Sequence, residues 1–365
     1  MQLRNVTPLK NWTGRLAGHG CRHYHFRPDY WLEQVGIEIS MTEFERMEDQ
    51  LKEVHSFGRG RVEEYMYRMY ESQWIEPEDY QWMKLSLPSG CMLERLDFTW
   101  NHGSIKVFDW NTQVLTGLFD SAVTQWLWAS NYAPEQEQFN LIQAALLQSI
   151  MQRKEHIGMS DHGGILDIPR TADPVFFWGL QDADNPLNDV DLQMLRDLWT
   201  YADVPVKTLL EGSVGFREFK PYDPDGISIG YIQSQGPMEG FLGTIWRRAP
   251  VRWMQGPWAM AMEHKGFLAH LHDANQKLAV APTTFHAKEG WIPKDAWSHL
   301  SGGVGKDSKQ PIIWQEPQLS SPLDDWHVVW QAWFVDGNFV GLSPVVDTQL
   351  MHDPMQYHAL AHIIA

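Results

Sequence analysis

Residues 93–111 read LERLDFTWNHGSIKVFDWN, two arms of alternating apolar and polar side chains around Asn101-His102-Gly103. Alternation with a period of two marks a strand, and a short Asn- and Gly-containing break between two such arms predicts a hairpin. Side chains two apart on a strand share a face. Arg95 and Asp97 therefore point the same way on the first arm, and Asp109 and Asn111 do so on the second. If the arms pair, the two sets can meet. Three oxygen-bearing side chains beside an arginine suit a hard cation next to an anion. A solvated hairpin face with a surface ion pair is the commoner arrangement and contributes little. The pattern by itself leaves both readings open.

Composition limits the alternatives. At 365 residues with 43% hydrophobic content, the chain can bury one large core or two or three smaller ones. It carries 29 Lys+Arg against 46 Asp+Glu, a net charge of −17. That argues against a general nucleic-acid-binding surface and leaves room only for a local basic pocket. Cys21 and Cys91 make no disulfide framework and suit a reducing cytoplasm. No apolar run approaches the ~18–20 residues that span a membrane, and MQLRNVTPLKNWTG lacks the apolar core of a signal peptide. The expectation is a cytoplasmic protein with neither nucleic acid nor membrane as partner. Its 19 tryptophans are numerous enough that some should line a site as well as fill the core.

The pattern along the chain predicts an α/β (α+β) protein. Ser40 caps a helix whose Ile39, Phe44, Met47, Leu51 and Val54 recur at helical spacing. Residues 116–130 read as an amphipathic helix, and 135–154 as a second. GGILDIP and PVFFWGL look like buried strands, and 189–210 like a helix running into a strand. DPDGISIGYI reads as a turn and strand, and PWAMAMEHKGFLAHLHDAN as one helix. Residues 288–310 are rich in Gly and Lys and predict a mobile segment. PIIWQEP and 326–346 look antiparallel, turning at Asp336-Gly337 or Gly337-Asn338.

Some motifs are weaker than they look. His19, Cys21, His23 and His25 alternate, but match no common zinc spacing. SGGVGKDS is not a phosphate loop of the Gly-x-x-x-x-Gly-Lys-Ser/Thr type, because Leu300 stands where its first glycine belongs. MSDHGG has no nucleophile elbow to partner it.

As a whole the chain resembles the glutathionylspermidine synthase family. YWLEQVGIEISMTEFERMEDQLKEVH is similar to that family's Tyr-Trp-x-Glu segment and following helix. LERLDFTWN and IKVFDWNTQVLTGLFDSAVTQWLWA resemble its Gly-Arg-Phe-Asp and Leu-Glu-Tyr-Asn strands and the helix ending Gln-Trp-x-Trp. PWAMAMEHKGFL, GWIPKDAW and the closing strands PIIWQE and HVVWQAWFVDGNFVGLSPVVD resemble later family segments. The resemblance is densest in 29–130 and sparse from 131 to 245.

It implies a permuted ATP-grasp fold with a preATP-grasp region, mixed and antiparallel sheets and a mobile lid. The implied division is 1–140 with the metal-site hairpin, 141–248 as preATP-grasp-like α/β region, 249–310 as lid region, and 311–365 as strands completing the core. The implied cofactors are ATP and Mg²⁺. The implied partners are a small-molecule or peptide carboxylate and an amine, for which a polyamine is one candidate, since indole faces and carboxylates both attract organic cations.

Residue by residue, the resemblance makes Asp97, Asp109 and Asn111 the metal ligands, with Asp109 one methylene shorter than the family's glutamate. It makes Arg95 the arginine that faces the reacting carboxylate and phosphoryl group. Lys265 and Lys294 match lysines on the nucleotide phosphates, Gln315 and Glu316 lie where the adenine passes, and Gly302 and Gly303 belong to a loop that cradles phosphate. The implied reaction is carboxylate activation by ATP, followed by amine attack to form an amide. Two departures stand out. LSGGVG lacks the family's arginine, a loss Lys306 or the N–H groups of Gly302, Gly303 and Gly305 could cover. Val345 stands at another arginine position, for which His327, His352 or Arg252 could substitute. A non-catalytic nucleotide or peptide binder, or an assembly protein keeping only the fold, are the competing expectations. The hairpin quartet argues against the last.

Overall fold

The computed structural model describes residues 1–20, 30–88, 90–112, 116–157, 186–204, 255–297, 311–318, 320, 322–348 and 357–365, with the short strands Val175–Trp178, Val206–Leu209, Gly215–Arg217, Lys220–Tyr222, Ile229–Ile232 and Arg252–Trp253. The hairpin forms as the alternation predicts, from Leu93–Asn101 and Ser104–Asn111. His102 and Gly103 take φ of 48° and 90°. A two-residue loop with positive φ at both positions matches the twist of the strands it joins. Asp336 and Gly337, at φ 48° and 78°, make the corresponding turn between His327–Val335 and Asn338–Asp347.

These strands belong to one seven-stranded sheet. Its order is Gln2–Asn5, Trp31–Ile39, His358–Ile364, Asn338–Asp347, His327–Val335, Leu93–Asn101 and Ser104–Asn111. Trp31–Ile39 and His358–Ile364 run parallel, and the other neighbours run antiparallel. Strands from the 1–140 and 311–365 regions thus share one sheet. The outer edge of Ser104–Asn111 is covered, since Val107 exchanges backbone hydrogen bonds with Ala279 and Ala281. Covering an edge removes a template for unwanted pairing.

Both faces of the sheet are buried, which the half-polar alternation did not foretell. Leu96, Phe98, Trp110, Trp330 and Phe334 pack with Phe44, Met47, Leu51 and Val54 of the helix Met41–Arg59. Ser40 closes that helix with a capping box to Glu43, and Ile39 ends the preceding strand instead of joining the helix. On the other face Leu93, Val329, Trp333 and Val345 pack with Leu118, Trp128, Leu146 and Trp199.

The segment 116–130 departs from the amphipathic helix expected. It opens with a π-turn, Asp120–Thr124, and continues as Gln125–Tyr132. Asp120, Ser121, Thr124 and Gln125 are all buried, because their polar atoms find partners inside. Gln125 Nε2 donates to the carbonyls of Ser121 (2.5 Å) and Leu342 (2.9 Å). The next helix starts only at Ile142, because residues 139–141 bond to the neighbouring strand through Leu141 N to Val340 O (2.7 Å).

The α/β unit forms. The helix Pro186–Tyr201 leads into Val206–Leu209, which pairs in parallel with Val175–Trp178, the predicted PVFFWGL strand. That strand also pairs in parallel with Ile229–Ile232. GGILDIP and the turn before Ile229 lie outside the described residues.

Buried polar groups give the fold a pH dependence. His362 is fully buried, its Nδ1 2.9 Å from Gln125 Oε1, and burial pulls its pKa from 6.5 to about 3. The unfolded chain takes up a proton that the folded ring refuses. Stability from this group is therefore complete above about pH 6.5 and falls toward pH 3, by up to about 1.4 kcal/mol per pH unit. Urea midpoints should drop less steeply between pH 7 and 4 for His362→Gln than for the wild type. Identical slopes would assign the acid sensitivity to other groups.

Candidate active site

The register of the hairpin decides the site. Arg95 lies opposite Asn111 and Asp97 opposite Asp109, with a bulge after Asp97 that absorbs one extra residue on the second arm. The bulge keeps all four side chains on the face that carries Leu93 and Trp333. Arg95 donates through Nε to Asp97 Oδ1 (2.7 Å) and through Nη2 to Oδ2 (2.9 Å), a two-pronged pair. Its Nη1 donates to the Thr116 carbonyl (2.5 Å), and its guanidinium lies 5.6 Å from the centre of the Trp333 ring. Asn111 Nδ2 donates to Asp97 Oδ2 (3.3 Å), which leaves the amide oxygen as its remaining donor to a cation. Arg95, Asp97 and Asn111 are all buried. Burial and the neighbouring Asp109 raise the Asp97 pKa, while Arg95 holds it down.

The lysines reach this face from a second layer. PWAMAMEHKGFLAHLHDAN is not one helix. A 3₁₀ turn, Pro257–Ala259, and a short helix, Met260–Glu263, end where His264 turns extended (ψ 119°), and a new helix runs Gly266–Ala274. The break points Lys265 inward, where Nζ donates to Asp109 Oδ1. Lys294 sits on the strand Ile292–Asp295, which pairs with Ile312–Gln315. Within the segment expected to be mobile, Ile292–Asp295 is thus built into a sheet. Lys294 Nζ donates to Gln315 Oε1 (2.7 Å), and Gln315 Nε2 donates to the Phe108 carbonyl (3.1 Å) on the hairpin bulge. Burial beside Lys265 pulls the Lys294 pKa from 10.5 to about 8.

The structure therefore gathers Arg95, Asp97, Asp109, Asn111, Lys265, Lys294 and Gln315 around one strand face. Glu316 is exposed beyond that face. Gly302, Gly303, Gly305, Lys306 and His352 lie outside the described residues, as do Cys21, His23, His25, MSDHGG and SGGVGKDS. His19 is exposed after the helix Trp12–Gly18. Val345 is buried among Val329, Tyr357 and Ala359, so that position offers no cation.

Asp97, Asp109 and Asn111 offer hard oxygen donors, two carboxylates and an amide, and these fit Mg²⁺. Each carboxylate already holds a cationic side chain, so an arriving metal would exchange with Arg95 and Lys265. Among the described residues, no three His, Cys, Asp or Glu side chains form a metal cluster. The amide of Asn111 is what makes the proposed set a trio.

Two groups escaped the sequence reading. Glu263, buried at the end of its short helix, has a pKa raised to about 8 by desolvation, opposed by Lys265 and reinforced by Asp109. Asp191 accepts from the Gly117 (3.0 Å) and Phe119 (2.6 Å) amides, beside the carbonyl that Arg95 binds. Neither belongs to a motif, and a single carboxylate inside a helical pattern carries no signal of its own.

The whole-chain comparison decides the family. A model described as glutathionylspermidine synthase preATP-grasp matches residues 4–364. The chain belongs to that family. It is 24% identical over 265 residues to a Haemophilus influenzae protein named "Putative acid--amine ligase", a match covering 66% of this chain and 61% of that protein. The match thus spans less than two thirds of the relative's length. Among solved structures, a glutathione synthetase like-effector from Globodera pallida, in apoform, superposes with a TM-score of 0.55 at 9% identity, covering 90% of this chain and 88% of that one. At that identity the likeness is one of fold. Family membership supports the fold, and the roles of the hairpin quartet and both lysines are proposed below on their geometry.

Proposed function

We propose that the chain is an ATP- and Mg²⁺-dependent acid–amine ligase, joining a carboxylate to an amine through an acyl phosphate. The observation that carries this reading is the convergence of Arg95, Asp97, Asp109, Asn111 and Lys265 on one buried strand face. Such a ligase must hold two anions together, and fixed cations in a desolvated site lower the barrier most. Arg95 would face the carboxylate and the transferring phosphoryl group. Lys265 and Lys294 would bind nucleotide phosphates, Gln315 would border the adenine, and Gly302 and Gly303 would donate backbone N–H groups to phosphate. Asp97, Asp109 and Asn111 would hold Mg²⁺, which neutralises phosphate charge when bound.

The amine has a place suited to it. A cavity of about 660 Å³ opens among the helical segments that carry Phe119, Trp126, Leu147, Met194, Asp197 and Tyr201. Its wall at Phe119 is held by Asp191, next to the Thr116 carbonyl bound by Arg95. Aromatic faces with one carboxylate favour an organic cation such as a polyamine.

A second reading, a nucleotide or peptide binder without turnover, is favoured by Val345 at an arginine position. Losing one such cation costs ~3–4 kcal/mol of barrier. ATP turnover against a panel of peptide-like acids and polyamines separates the two. ADP formation that needs both an acid and an amine, with an amide product by mass spectrometry, is the expected result. Mg²⁺-dependent ATP binding without turnover on any pair would favour the binder.

A further inference from the structure

The helix break at Lys265 is built by groups outside the proposed site. His264 Nδ1 accepts the Gly266 backbone N–H (3.1 Å) and lies 2.5 Å from the Tyr65 hydroxyl. A backbone N–H can only donate, so Nδ1 carries no proton and the Tyr65 O–H donates to it too. The ring replaces the hydrogen bond that Gly266 N would have made in an unbroken helix. Trp74 stacks on the ring at 5.6 Å, and Trp297 meets it edge-on at 4.7 Å. Tyr65 and His264 are fully buried. A Cβ on Gly266 would sit 2.4 Å from the Tyr65 oxygen, so residue 266 has to be glycine for the hydroxyl to enter.

The same break joins the two lysine layers. Lys265 N donates to the Ala296 carbonyl (2.8 Å), two residues beyond Lys294. The backbone of residue 265 is thus fixed on one side by His264 and on the other by the lysine-bearing strand. From there its side chain reaches Asp109.

We infer that Tyr65 and His264 are positioning residues, holding the helix break that aims Lys265 at the hairpin carboxylates. The inference concerns the direction of Lys265, and it deepens the ligase reading, on which its consequence for nucleotide binding rests. Without the hydroxyl, Nδ1 loses the O–H that helps anchor the ring, and Lys265 swings out of the buried pair. Asparagine at 264 keeps an acceptor placed like Nδ1 and can bond the N–H two residues on, whereas leucine cannot.

The test reads Lys265 directly. Amine acylation followed by mass spectrometry compares Lys265 with Lys52, which is 57% exposed and remote in sequence. Tyr65→Phe should raise Lys265 labelling about tenfold relative to Lys52, the scale of one buried hydrogen bond. His264→Leu should do the same, and His264→Asn should stay near wild type. Unchanged Lys265 labelling in Tyr65→Phe would overturn the inference. A uniform rise across all lysines would overturn it too, because it would mean general loosening. His264→Asn labelling like His264→Leu would remove the acceptor role. ATP titration of the same variants reads the other claim. Selective Lys265 exposure with ATP affinity unchanged would uphold the positioning role and count against the ligase reading.

Discussion

Replacing Arg95 by methionine should cost about 3–5 kcal/mol of folding stability, and ligase turnover should fall by about two to three orders of magnitude. The first effect comes from what is left behind. Asp97 is buried and both its oxygens accept from the guanidinium. Without that partner the carboxylate stays desolvated beside Asp109, and its pKa, already raised, climbs further. The second effect comes from losing a fixed cation where phosphoryl charge develops. The double variant Arg95→Met/Asp97→Leu separates them. Removing both charges together relieves the unpaired carboxylate, so urea unfolding should recover most of the loss. Turnover should not return. A single variant as stable as wild type would mean that the pair is solvated after all, and an active one would remove Arg95 from the chemistry.

Lys265→Ala and Lys294→Ala should each weaken ATP binding about 10–100-fold, the range for hydrogen bonds to charged groups. They should differ in pH dependence. Lys294 has a pKa near 8, lowered by burial and by Lys265. An arriving phosphate favours the ammonium form, so ATP binding at pH 8 should take up a proton. Affinity should be full below about pH 8 and decline above it. Calorimetry in buffers of different ionisation enthalpy measures the uptake, and Lys294→Ala should abolish it. Equal heats in both buffers for the wild type would mean that Lys294 does not meet the phosphates.

The hairpin was legible because strand alternation, turn chemistry and a charge pattern all pointed to it. Asn101-His102-Gly103 located the turn, and the two-residue spacing put Arg95 with Asp97 and Asp109 with Asn111. The bulge at Asp97 was not legible. It depends on how Phe108 fits the neighbouring elements, and alternation of side chains is blind to one extra residue. The burial of both sheet faces was hidden for a related reason. Thr99 and Asn111 are polar residues in an alternating pattern, yet both are buried in the folded chain. The 257–275 stretch misled in the other direction. Its apolar periodicity runs straight through His264, so a single helix was the natural reading. The break comes from a tertiary hydrogen bond, Tyr65 to His264, across 199 residues. Local propensity gives no sign of it, although it fixes where Lys265 points.

The most direct test of the site is ATP binding by calorimetry with and without Mg²⁺, on the wild type and on Asp97→Asn/Asp109→Asn. Both substitutions keep shape and remove the charge that a metal needs. The carboxylates hold Arg95 and Lys265 in the absence of metal, so Mg²⁺ alone should bind weakly and ATP with Mg²⁺ should bind far more tightly than either alone. The double variant should unfold cooperatively yet lose this synergy. ATP binding that ignores Mg²⁺, or that survives unchanged in the double variant, would contradict the assignment of the hairpin as the metal–nucleotide site.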